Sequence, residues 1–133
     1  MPMDSKDNRG ACKNSCFIDS FKYAFKGIQT VFQEERNMRT HLILGIITLF
    51  ISWFLGIEKN EWLWIILSIF LVLVMEILNT IIENVVDLIT ENHYHPLAKK
   101  AKDMAAAAVL STACFSIVTA TIIFLPKIFI LLT

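Results

Sequence analysis

Net charge is the first thing this chain lacks: twelve lysines and arginines balance twelve aspartates and glutamates over 133 residues. Zero bulk charge argues neither for nor against a polyanionic partner, and no nucleic acid is expected. Cysteine is scarce as well, and the three that occur, Cys12, Cys16 and Cys114, make no useful pattern. Cys12 and Cys16 stand four apart in a polar stretch with no second ligand pair behind them. A zinc site is therefore not expected, and unpaired reduced thiols are the reading. With only four glycines, the chain has no glycine-rich phosphate loop, no Walker loop and no protein-kinase signature. The first forty residues lack a continuous apolar core. A cleaved signal peptide is not expected, so the N-terminus should remain in the mature protein.

What the chain has is grease. Hydrophobic residues make up 56% of it, a composition that suits a small integral membrane protein better than a soluble enzyme. Its length predicts one domain, here taken as residues 15–133 behind a polar, mobile segment 1–14. Phe17, Ile18, Phe21, Ala24, Phe25, Ile28, Val31 and Phe32 recur at three- and four-residue spacings, with Asp19, Lys22, Lys26, Gln29 and Gln33 opposite. That period predicts an amphipathic helix over about 16–36, lying in the membrane interface plane.

Three spans are predicted to follow, over about 40–57, 61–90 and 97–125. "HLILGIITLFISWFLGI" is the first. A polar turn, "EKNE" at 58–61, leads to a second whose apolar part, 62–75, is too short to cross unless the helix continues through Val85 and Val86. Pro96 suits the first turn of a third helix, which opens on four alanines and is expected to stop before Pro126. Lysine and arginine gather before Thr40 and in "PLAKKAKD", whereas 104–125 carries no charge. Both basic segments fall on one side of an up-down-up arrangement, so that side is cytoplasmic.

The second span poses the functional question. Glu76, Asn79, Thr80, Glu83 and Asp87 fall on one stripe at about 100° per residue, among Ile77, Leu78, Ile81, Ile82, Val85 and Val86. Each intramembrane carboxylate costs roughly 2.5–3.5 kcal/mol on insertion scales. Such a stripe must face protein, water or an ion. Asn79 and Thr80 as interhelical glue, with Glu83 and Asp87 merely interfacial, is the bland alternative. A conduction path needs polar groups throughout, yet 62–75 is uniformly apolar. A dead-end pocket at the water–lipid boundary suits a reaction between a soluble and a lipid-dissolved substrate. Lys99, Lys100 and Lys102 at a helix N-terminus could attract phosphate or simply anchor the inner face. His93 and His95 are equally read as loop histidines, and Glu34, Glu35 and Arg39 sit at the mouth of the first span, ordinarily a solvated junction, which here could add a carboxylate to the stripe. A membrane scaffold or ion-coupling subunit is the non-enzymatic alternative.

"ExxNTxIExxxD" at 76–87 and "HPLAKKAKDxAAAAV" at 95–109 resemble the prokaryotic diacylglycerol kinase family, whose members in Gram-positive bacteria include undecaprenol kinases. The resemblance runs from about Phe21 to Leu125. It implies an all-α integral membrane homotrimer in the bacterial cytoplasmic membrane, transferring the ATP γ-phosphate to a lipid alcohol on the cytoplasmic side. Undecaprenol is the expected acceptor, with diacylglycerol as runner-up. By motif, Glu76 matches the catalytic base. Glu35 and Glu83 match the residues that hold Mg²⁺ with the nucleotide. Asn79 and Asp87 support them, and Lys102 and Asp103 match a nucleotide-binding pair. Tyr23, His93 and His95 correspond to nucleotide contacts. The chain departs from the Gram-negative pattern near Cys16, where a basic residue would stand, and by one extra residue between Asp87 and Lys102.

Overall fold

The computed structural model describes residues 13–132; most of the segment 1–14 and Cys12 lie outside the described residues. The order is α1 (Lys13–Glu34), α2 (Arg36–Phe54), α3 (Lys59–Thr90) and α4 (Pro96–Leu132). The chain divides into two compact units, Met1–Glu34 and Glu35–Thr133. Within the first, α1 leaves Phe17, Phe21, Tyr23 and Phe25 exposed.

In the second unit, α2, α3 and α4 are each long and apolar enough to cross a membrane. At 1.5 Å per residue, α3 is ~48 Å long and α4 ~56 Å, against about 30 Å for a hydrocarbon core, so each has length beyond a simple span. α3 packs on both α4 and α2. Its core is Ile57, Ile65 and Ile123, flanked by Leu49, Leu55, Trp62, Ile69, Ala120 and Phe124. Buried Ser52 and Ser68 bond their own helices' carbonyls, Thr48 O at 2.8 Å and Ile65 O at 2.9 Å. Satisfied this way, small hydroxyl side chains let helices approach closely. Large apolar residues such as Phe50, Leu63, Phe70, Ile117 and Ile122 face outward, as a lipid solvent favours. Exposed Trp53 and Trp64 cluster at the α2–α3 end, where an aromatic belt would meet headgroups.

Two boundaries differ from the sequence expectation. "EKNE" is mostly helix rather than turn. Glu58 caps α3, and its backbone N–H donates to Glu61 Oε2 at 2.7 Å in a reciprocal capping box. The turn lies earlier, where Gly56 takes a φ of 59° and Ile57 N–H donates to Ser52 O at 3.3 Å; left-handed backbone there favours glycine. The third helix, expected to stop before Pro126, runs through it to Leu132. Proline deprives one carbonyl, that of Ile122, of its helical partner, whereas breaking the helix in an apolar setting would leave many more groups unsatisfied.

Beyond Pro126, Lys127 Nζ reaches Glu61 Oε2 at 2.9 Å, tying the end of α4 to the start of α3. Both side chains are largely covered. Lys127→Met should remove about 1 kcal/mol, read as a lower thermal midpoint in detergent. Glu61→Gln keeps the cap but deletes the pair, so the double variant should lose little more than either single one.

Candidate functional site

The polar stripe of α3 is turned inward at its deep end. Glu76 is 2% exposed, Thr80 3% and Asn79 7%. Glu83 and Asp87 are half-buried. Along α3, Glu76 lies ~10 Å deeper than Glu83, and Asp87 ~6 Å beyond Glu83 toward the loop. Thr80 does not glue helices together, because its hydroxyl donates to Glu76 O of its own helix at 3.0 Å.

Around the Glu76 carboxylate stand Glu35, Glu83, His41 and the Asn37 amide, the last within hydrogen-bonding reach. Glu35 is brought there by the chain break between α1 and α2. Its φ of −96° and ψ of 116° make it the N-cap of α2, with no side-chain cap bond to occupy its carboxylate. Asn79 Nδ2 donates to Glu83 Oε1 at 3.0 Å, fixing that carboxylate from one turn away. Asn79 Oδ1 is buried without a partner. Negative charge from Glu35 and Glu83 thus bears on the buried Glu76 carboxylate, with neither lysine nor arginine among the groups acting on it. Negative charge around a buried carboxylate is relieved by a bound cation or by its protonation.

The second part of the site is the α3–α4 connection. Glu91 and Asn92 adopt left-handed backbone, with φ of 49° and 61°, and Asn92 N–H closes on Asp87 O at 3.1 Å. The Asp87 side chain accepts from Lys102 Nζ at 2.6 Å. A cavity of about 450 Å³ is lined there by Asp87, His93, His95, Lys99, Lys102 and Asp103, among others. His95 also caps α4: its Nδ1 accepts from Leu97 N–H at 3.2 Å and its carbonyl from Lys99 N–H at 3.1 Å. Lys102 is held by Asp87, and Asp103 is exposed. Tyr23 belongs to α1, in the other compact unit.

Among the described residues, no three histidine, cysteine, aspartate or glutamate side chains form a ready metal cage. Asn37 and His41 were not singled out from sequence. Their signal is their four-residue spacing on α2, beginning two positions after Glu35.

Residues 22–124 match the family model for prokaryotic diacylglycerol kinase. The chain belongs to that family. Membership makes it a membrane lipid kinase, and the polar stripe of α3 falls within the matched region. An undecaprenol kinase of Bacillus subtilis is 42% identical over 126 residues, covering 95% of this chain and the whole of that relative. A diacylglycerol kinase of Synechocystis is 38% identical over 109 residues, covering 82% of this chain and 62% of the relative. The diacylglycerol kinase of Escherichia coli K12 is 34% identical over 102 residues, 77% of this chain and 83% of the relative.

Proposed function

We propose that this kinase transfers the γ-phosphoryl group of ATP to undecaprenol, giving undecaprenyl phosphate and ADP at the cytoplasmic face of the membrane. The observation that carries the reading is Glu76, a carboxylate 2% exposed on the apolar span α3. An alcohol is a poor nucleophile until its proton leaves, and a positioned carboxylate takes that proton as attack proceeds. The new bond joins the alcohol oxygen to the γ-phosphorus. The bond to the β–γ bridging oxygen breaks, and the proton passes to Glu76.

Glu35 and Glu83 are the proposed holders of Mg²⁺. The site suits it: magnesium takes one or two carboxylates together with nucleotide phosphates, which agrees with a shell that is incomplete alone and leaves Asn79 Oδ1 unpartnered. When bound, the ion would neutralise charge on the phosphate oxygens. Asn79 orients Glu83, and Asp87 restrains Lys102. Lys102, Asp103, His93 and His95 line the loop cavity and are assigned, with Tyr23, Glu35 and Glu83, to the nucleotide. The exposed aromatics of α1 suit an interfacial helix. A homotrimer would enclose sites that three thin helices leave open.

Support for a polyprenol acceptor comes from the relative named undecaprenol kinase, which aligns over its whole length. Relatives named diacylglycerol kinase at 34–38% identity support a second acceptor, diacylglycerol. Purified protein given labelled ATP with both alcohols in equal amount should label the polyprenol predominantly. Label only in phosphatidic acid would establish the second acceptor instead.

A further inference from the structure

Glu76 and Glu83 each have an amide partner, and the two amides come from different places. Glu83 receives Asn79 Nδ2 at 3.0 Å from its own helix. Glu76 has the Asn37 side chain within hydrogen-bonding reach, and that residue belongs to α2. A carboxylate only accepts, so Asn37 presents its Nδ2 donor. The bond therefore runs between helices. Asn37 is itself exposed, whereas Glu76 is buried, so the amide reaches from the open side of α2 onto a covered carboxylate.

The register that brings the two together is set further along the same pair of helices. A Cβ on Gly45 would lie 3.0 Å from Ile69 Cγ2, so α2 comes close to α3 there because residue 45 carries no side chain. Asn37 stands about two turns back along α2 from Gly45, and Glu76 about two turns on along α3 from Ile69. In the other direction Asn37 follows closely on Glu35, the N-cap of α2, whose side chain makes no cap bond. The start of α2 thus carries a proposed metal carboxylate and the partner of the proposed base side by side.

The donor is neutral, and that matters for a base. A lysine or arginine in its place would favour the charged carboxylate and make it reluctant to accept a proton. An amide orients the group without cancelling its charge. It also engages one oxygen and leaves the other for the alcohol's proton. We propose that Asn37 is a positioning residue for phosphoryl transfer, its amide fixing the Glu76 carboxylate so that the free oxygen faces the acceptor hydroxyl. It acts through Glu76. This inference rests on the reading of Glu76 as the base and adds the group that aims it.

Steady-state kinetics of the full-length protein in detergent, with a short polyprenol as acceptor, test it. Asn37→Ala should lower kcat about ten- to a hundredfold, while the KM for ATP and the magnesium needed for half-maximal rate stay unchanged. Asn37→Gln keeps the donor and should recover part of the rate. Asn37→Asp has nearly the native shape, but its carboxylate either repels Glu76 or shares its proton, so it should turn over more slowly than Asn37→Ala. A side chain needed only for packing would give the opposite order, because alanine removes more atoms. Thermal midpoints check folding, and at an exposed position all three should stay near wild type. In a Glu76→Gln background, Asn37→Ala should cost little more, since both changes act on one step. Turnover by Asn37→Asp equal to or faster than that of Asn37→Ala overturns the proposal. So does a cost in the Glu76→Gln background as large as in the wild type, or a raised KM for ATP with kcat unchanged, which would move Asn37 to the nucleotide side. Full turnover by Glu76→Gln would remove the base and the role of Asn37 with it, whereas a slow Glu76→Gln beside unaltered Asn37 variants would remove Asn37 alone.

Discussion

Glu76→Gln is expected to lower kcat for lipid phosphorylation by about 10²–10⁴-fold, the range for loss of a positioned general base, with the KM for ATP nearly unchanged. The substitution keeps shape and hydrogen-bonding capacity, so the Asn37 amide retains a partner and the fold should persist. Glu35 and Glu83 are assigned to the metal. The effect should therefore be confined to the proton-transfer step. The measurement is labelled-phosphate incorporation into polyprenol at saturating ATP, alongside the thermal midpoint. Full turnover by the glutamine variant would remove Glu76 from its role.

The second large effect concerns magnesium. Glu83→Gln and Glu35→Gln should each raise the magnesium concentration needed for half-maximal rate, because a neutral amide is a far weaker partner for a hard cation than a carboxylate. Asn79→Ala offers a graded control. It removes only the 3.0 Å bond that orients Glu83, and changes to residues that support a metal ligand usually weaken binding about 10–100-fold. The direct variants should exceed that. Titrating magnesium at fixed ATP reads the difference, and a dependence identical to wild type in Glu83→Gln would rule out its metal role.

Much of this site was legible along one helix. Glu76, Asn79, Thr80, Glu83 and Asp87 repeat at helical spacing in an apolar background, and an apolar medium forces such a stripe inward. What sequence could not supply was pairing across helices. Asn37 and His41 approach Glu76 only because the chain breaks at Glu35 and restarts α2 at once, with no glycine or proline there to announce it. Asp87 and Lys102 meet across a turn built from left-handed Glu91 and Asn92; asparagine favours that backbone, whereas glutamate gives no notice of it. Pro126 misled in the opposite direction, since the rule that proline ends helices is written for chains that can return their backbone to water. Thr80 looked like interhelical glue and instead satisfies itself.

The near-complete burial of Glu76 has a further consequence for the cell's economy of phosphate. A base that sees almost no bulk water has little chance of activating a water molecule in place of an alcohol. Nucleotide held without an acceptor should simply wait, so a membrane crowded with this enzyme would not drain ATP through idle hydrolysis. Throughput would then follow the arrival of lipid from the surrounding leaflet, whatever the abundance of the donor.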